Sequence, residues 1–348
     1  MTFQIERVIL QHHKLPLRQP LKTAFGSICD RTCIVIQICD TEGRMGWGEA
    51  SPLPGFGMES LVETQAVLDN LQTGLVGMEF ASLHEIAVFL TEFSQSPAAK
   101  HGVELALCNL LAIAQAKSLS QLINPQSRNR LPVNALIGAV SPAIAVNLAQ
   151  SFETKGYSCI KVKIGTDLAD RDWQRVAAIR DAISPHVQIR LDANQAWSVD
   201  EAIAQIRRYE PLGIEYVEQP VAAQDLEGMA KVKRSVGIAI AADEAITCID
   251  DLREVIACKA ADIAILKPMA MGGILTARQA ADVAFAAGLD VVITTTIDGA
   301  IARLGALHLA ASIPQITRAC GLATGELLAN DLVPACPMPE RGAIAVPA

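Results

Sequence analysis

Four short apolar segments decide the fold: VQIRLD (187–192), EYVE (215–218), IAIAAD (238–243) and DIAILK (262–267). Each ends in a charge, and from Asp192 through Glu218 and Asp243 to Lys267 the steps are 26, 25 and 24 residues. The stretches between them carry helical patterning, with start signals such as the capping box Ser198-Val199-Asp200-Glu201 ahead of AIAQIRR. Further apolar runs lie at Val133–Ile137, Cys159–Ile164 and Val291–Thr295, with a weaker eighth near Ile316–Leu322. Strands alternating with helices in this way imply a parallel sheet. Seven or eight such units predict an α/β fold, a (β/α)7–8 TIM-like barrel, rather than an open doubly wound sheet. No GxGxxG follows any of these strands and no Walker A sequence is present, which argues against a dinucleotide or P-loop site.

The first hundred residues read differently. Ile34-Val35-Ile36-Gln37-Ile38 predicts a strand, Thr41-Glu42-Gly43-Arg44 a turn, and a second strand ends near Trp47-Gly48-Glu49. A Pro/Gly loop, Pro52 to Gly57, precedes helical patterning from about Glu59 to Leu71. A small α+β capping domain over residues 1–130 is therefore expected, then a barrel over 131–324 that carries the catalytic site. Residues from about 325 to 348 are expected to return to the capping domain.

Composition narrows the function. The chain has 348 residues, 51% of them hydrophobic, with Lys plus Arg 29 against Asp plus Glu 37 for a formal charge of −8. No concentrated basic face is available for phosphates, so no nucleic-acid partner is expected. Nine scattered cysteines suit reduced, mostly buried thiols better than a disulfide framework. The start, MTFQIERVIL, lacks the pattern of a signal peptide. The uncharged stretch Leu131–Phe152 is interrupted by Pro132, Asn134, Ser141 and Pro142, and Ser141-Pro142 reads as a helix start rather than part of a membrane span. A cytoplasmic location and no membrane partner are expected, with homo-oligomerisation left open.

The charges gather where a barrel does chemistry. C-terminal strand ends surround one mouth, so Asp192, Glu218 and Asp243 should converge there with Lys161, Lys163 and Lys267. Three such carboxylates repel unless a cation holds them, and hard oxygen ligands suit Mg2+. Lys161 and Lys163 share a face by strand parity, while Lys267 approaches from the opposite side. Two lysines flanking a carboxylate substrate are placed to remove the proton α to that carboxylate. A binding or structural scaffold, the non-enzyme alternative, predicts decay of this constellation, yet every member is present.

With these residues in view, the chain resembles the enolase superfamily, and within it the muconate-lactonizing-enzyme-like subgroup. A mandelate-racemase-like member would place a His after the seventh strand, and VVITTTIDG has none. GWGEASPLPGF (Gly46–Phe56) and GLATGEL (Gly321–Leu327) are similar to segments of the o-succinylbenzoate synthase family. That resemblance implies Mg2+ as cofactor, with Mn2+ able to substitute, and syn-dehydration of SHCHC to o-succinylbenzoate in menaquinone or phylloquinone synthesis. It implies Lys163 as the base that then protonates the departing hydroxyl, Lys267 stabilising the enediolate, Lys161 tuning Lys163, and Asn194 orienting the site. Thr295 and Thr296 are expected to contact the distal substrate carboxylate. The alternative is a dipeptide epimerase or N-acylamino-acid racemase that uses both lysines. The Asp-x-Asp that dipeptide epimerases carry is missing from RACGLATGEL.

Other residues have plainer readings. Glu244 is expected to face away from Asp243. His12 and His13 read as alternating on a strand and solvated, and Trp47 as packing. Asp298 reads as a helix-start charge, Arg303 as a surface contact, and Pro54–Gly57 as a lid or a plain turn.

Overall fold

The computed structural model describes residues 2–23, 26–166 and 168–348. The N-terminal unit is an antiparallel sheet of β1 (Phe3–Thr23), β2 (Gly26–Asp40), β3 (Met45–Ala50) and β4 (Glu79–Phe80), in the order β3-β2-β1-β4. Against it pack α1 (Leu61–Gly74), α2 (Leu83–Phe89), α3 (Pro97–Ala114) and α4 (Leu119–Ile123). Ser60 starts α1 through a capping box with Glu63. The expected hairpin is present as β2 and β3; β1, with 21 residues, contains the strand expected at His12-His13 and runs well beyond it. α3 sits almost on the backbone of β3: a Cβ on Gly48 would fall 1.8 Å from the Gly102 carbonyl oxygen, so only glycine fits there.

Two strands open the second half: β5 (Arg130–Pro132) and β6 (Ala135–Ile137). Regular units follow: α5 (Pro142–Thr154), β7 (Cys159–Lys163), α6 (Ala169–Ala182), β8 (Gln188–Asp192), α7 (Val199–Tyr209), β9 (Ile214–Glu218), α8 (Leu226–Ser235) and β10 (Ala239–Ala242). The series ends with α9 (Ile249–Ala257), β11 (Ile263–Leu266), α10 (Ile274–Ala286), β12 (Asp290–Ile293), α11 (Ala300–Ser312) and β13 (Ala343–Ala345). Strands β6 to β12 form one parallel sheet in sequence order. This is the expected TIM-like barrel with seven full strands. The segment 131–152 folds as β5, β6 and α5, and among the described residues no helix is long and apolar enough to cross a membrane.

The eighth run does not become a strand. It contributes two bridges, Val133 with Cys320 and Thr294 with Gly321, and these close the seam between β12 and the start of the barrel. Ion pairs brace the seam below: Arg318 meets Asp290 at 2.7 Å and Glu215 at 2.5 Å, and Arg190 meets Glu215 at 2.5 Å. The following chain returns toward the N-terminal unit: Leu328 bridges Leu17, and Ala329 donates its N–H to the Pro16 carbonyl at 2.8 Å. β13 pairs with β5.

Buried glutamates dock the two halves. Glu49 of β3 accepts the N–H groups of Gly299 (2.7 Å) and Ala302 (3.0 Å) at the start of α11. Glu104 of α3 accepts the Leu275 N–H at 3.0 Å at the start of α10. Gly273 stands at φ 145°, and a Cβ there would lie 2.3 Å from Glu104 Oε1. Each carboxylate satisfies orphan donors at the positive end of a helix. In the same region Asp298 stands just before the start of α11, as expected, although buried, whereas Arg303 departs from expectation because it is buried too. Rather than a surface contact, Arg303 meets Asp331 at 2.8 Å, because α11 lies beneath the returning C-terminal segment.

Burial raises the Glu104 carboxyl from its ordinary 4.5 to about 7, against the Leu275 N–H and Lys100, which lower it. A raised carboxyl binds its proton more tightly in the folded state, so its contribution to stability falls as pH rises from about 4.5 to about 7. Urea unfolding of wild type and Glu104→Gln across that window should show the wild type losing on the order of 3 kcal/mol relative to the variant. Parallel curves would contradict this.

Candidate active site

Strand parity builds the site. Inward positions of the barrel carry a small apolar floor of Tyr216, Ala241, Ile263, Ile265 and Val292. Above it stand Lys163, Asp192, Glu218, Asp243, Lys267 and Thr294, one from each of six successive strands or the residue just beyond it. In register, Lys163 lies opposite Asp192 and Asp192 opposite Glu218. They line a cavity of about 490 Å³ at the mouth, together with Lys161, Asn194, Thr295 and Thr296. All nine candidate residues thus reach one cavity.

Lysines and carboxylates interlock there. Lys161 bridges Asp192 (2.7 Å) and Glu218 (2.5 Å). Lys163 meets Asp192 at 2.7 Å and donates to Asn194 Oδ1 at 2.5 Å. Across the mouth, Lys267 grips both oxygens of Asp243, at 2.5 and 2.6 Å. Among the described residues no three acidic, His or Cys side chains close on one point as a metal cage; lysines stand between the carboxylates.

The electrostatics follow from crowding. Burial, then the neighbouring Asp192 charge, pushes Glu218 up to about 8. Burial works against the charge on Asp192, but Lys161 and Lys163 outweigh it and hold this carboxyl well below the usual range. Burial likewise opposes the Lys161 charge, and Asp192 and Glu218 more than offset it, so its pKa rises.

Glu244 corrects the sequence reading. β10 ends at Ala242, and Gln219 Oε1 accepts the N–H groups of Asp243 (3.0 Å) and Ala245 (3.1 Å), curling the chain so that Glu244 lines the cavity. Asn194 Nδ2 donates to Glu244 Oε1 at 3.0 Å, while the buried Oε2 has no partner. Burial, then Asp243 and Asp192, raises its carboxyl. Gln219 is also a residue that sequence reasoning missed, and only its place beside Glu218 hinted at a role. Asn194, Gln195, Gln219 and Ile297 all have positive φ (42°, 67°, 39° and 63°), so backbone strain gathers at this mouth.

The remaining expectations divide. Thr295 and Thr296 face the cavity, but their hydroxyls pair with Thr324 (2.8 Å) and Asp298 (2.5 Å). Pro54–Phe56 forms a short 3-10 turn, and the Lys267 ammonium lies 3.8 Å from the centre of the Phe56 ring. Buried Arg31 holds this loop through the carbonyls of Ser51 (2.7 Å) and Pro52 (3.0 Å). His12 and His13 are exposed on β1; Trp47 is 37% exposed, which limits its packing role.

Comparison with known proteins agrees with this architecture. Residues 143–348 match the family described as Enolase C-terminal domain-like, and residues 5–124 match the Mandelate racemase / muconate lactonizing enzyme, N-terminal domain. The chain belongs to this family. It is 32% identical over 324 residues to the L-Ala-D/L-Glu epimerase of Bacillus subtilis (strain 168), covering 90% of this chain and 87% of that protein. The o-succinylbenzoate synthase of Thermobifida fusca (strain YX) is 38% identical over a shorter 222 residues, 63% of this chain and 67% of that one. Among solved structures, the dipeptide epimerase of Enterococcus faecalis V583, complexed with Mg and the dipeptide L-Leu-L-Tyr, superimposes with a TM-score of 0.90 at 28% identity, covering 99% of this chain and 97% of that one.

The Lys163–Asn194–Glu244 chain is testable by stability alone. Asn194→Ala leaves Glu244 with neither oxygen partnered and should cost about 1–3 kcal/mol. A double-mutant cycle with Glu244→Gln should recover part of that loss in thermal unfolding; additive losses would show that the link carries no energy.

Proposed function

We propose that this chain is a racemase or epimerase acting on the carbon α to a carboxylate, in a dipeptide or an N-acylamino acid. One observation carries the reading: Lys163 ends β7 and Lys267 follows β11, four strands round one sheet, so they face one cavity from opposite walls. A carbon held between them can lose its proton to one lysine and receive a proton from the other, which inverts the centre. The epimerases that are similar to nearly the whole chain support this reading over dehydration.

Mg2+ is the cofactor this chemistry requires, with Mn2+ expected to substitute. Asp192, Glu218 and Asp243 would hold it. Their chemistry fits, because hard oxygens suit this ion and four carboxylates, Glu244 included, crowd three ammonium groups. When bound, the ion supplies Lewis-acid stabilisation of the charge that builds on the substrate carboxylate. Asn194 aims the Lys163 ammonium, and Lys161 holds Asp192 and Glu218 in place. Phe56 covers Lys267 and limits water there.

The second reading, o-succinylbenzoate synthase, keeps the same residues but needs only Lys163 as base; the 38% identity over 222 residues favours it. Proton exchange in D2O separates the two. For an epimerase, Lys163→Ala and Lys267→Ala should each abolish inversion by at least about 10³-fold while retaining α-proton exchange from one enantiomer, opposite in the two variants. Rapid loss of SHCHC absorbance, with no exchange on any dipeptide or N-acylamino acid, would overturn the epimerase in favour of the synthase.

A further inference from the structure

A buried ion pair stands behind one of the two lysines. Asp172 and Arg175 lie one turn apart on α6, the helix after β7, and each is only 1% exposed. Asp172 Oδ1 pairs with Arg175 Nη2. The same Nη2 donates to the Lys163 carbonyl at 2.8 Å, and Nη1 donates to the Val140 carbonyl, in the loop after β6, at 3.3 Å. The second Asp172 oxygen accepts the Gly165 N–H at 2.7 Å. Between these two points, the Ile164 N–H donates to the Asp192 carbonyl at 2.9 Å. The chain leaving β7 is therefore held at three successive residues, two of them by the pair.

Gly165 leaves this segment no slack. Its φ is 78°, and a Cβ there would lie 2.4 Å from the Ala196 side chain in the loop after β8. Lys163 is thus fixed at root and tip, with its main chain against Arg175 and its ammonium against Asp192 and Asn194. Lys267 is anchored otherwise: its carbonyl accepts the Met271 N–H at 3.0 Å, in the turn after β11. A planar guanidinium suits the first task, since its fork serves two carbonyls and a carboxylate at once.

We propose that Asp172 and Arg175 are positioning residues for Lys163, setting where its ammonium stands and hence the proton transfer on that face of the substrate. The inference rests on the proposed reaction, in which Lys163 and Lys267 serve opposite faces of one carbon. Neither Asp172 nor Arg175 lines the cavity, so the pair acts through the chain it holds. Misplacing a reacting group by about 1 Å costs on the order of 10²-fold in rate.

The test is α-proton exchange in D2O by the full-length protein with Mg2+. The probes are two epimer pairs, L-Ala-L-Leu with L-Ala-D-Leu and N-acetyl-L-Leu with N-acetyl-D-Leu. Lys267→Ala assigns the faces, because the epimer it still exchanges is the one Lys163 serves. The double variant Asp172→Asn/Arg175→Met leaves no buried charge unpaired. It should slow exchange of that epimer about 10- to 100-fold at unchanged half-saturation, and exchange of the other less than about twofold. Should it fail to fold, Arg175→Lys keeps the charges paired without the fork and should show the same asymmetry at roughly fivefold. Equal losses on both faces would mark the pair as general scaffolding and overturn the proposal, as would no loss on either. If wild type exchanges neither epimer pair, the epimerase reading fails on these substrates and SHCHC dehydration, with Lys163 as sole base, becomes the assay. There a fall in kcat at constant KM sustains the positioning role, and an unchanged kcat overturns it. A wild type inert in both assays overturns both.

Discussion

Carboxylates at helix N-termini hold this molecule together. Glu49 and Glu104 reach from the N-terminal unit into the barrel and take backbone N–H groups at the starts of α11 and α10. Both are buried, so losing either side chain while the halves stay docked would leave buried N–H groups without an acceptor. The helices they hold follow β12 and β11, whose ends deliver Thr294 to Thr296 and Lys267. The Phe56 loop rides on the same unit, fixed through Arg31. Docking and the shape of the cavity therefore depend on one set of contacts.

Inside the mouth, order comes from charges that satisfy one another. Lys161 spans two carboxylates and Lys267 occupies both oxygens of a third, so each side chain has few directions available. Such a web contributes little net stability once desolvation is counted. Its value lies in fixed geometry, for which the strained backbone at Asn194, Gln219 and Ile297 is further evidence.

Much of this was legible in the chain. Barrel strands announce themselves because an apolar run and a terminal charge recur at nearly constant spacing, and strand parity brought Lys161 and Lys163 to one face. The full length of β1 was hidden because Pro16 and Pro20 interrupt its pattern. It tolerates them because β4 pairs only with its first residues, leaving most of one side an edge and a register shift between Pro16 and Leu21. Glu244 misled because parity assumes a strand that in fact stops at Ala242. Glu49 and Glu104 have partners some 250 and 171 residues away, and no local pattern reports such a distance. Arg303 likewise looks like any helix-surface arginine until the C-terminal segment is laid over it.

The unfinished eighth strand has a consequence of its own. Among the described residues Cys320 and Gly321 supply the backbone bridges of the seam, and the turn beyond it belongs to no strand ladder. Substitutions in that turn leave the sheet's hydrogen bonds untouched, whereas a change at Lys163 or Asp243 strikes the reacting centre. Descendants of such a chain can inherit one proton-moving apparatus intact and acquire a new diet by altering a few residues at the rim.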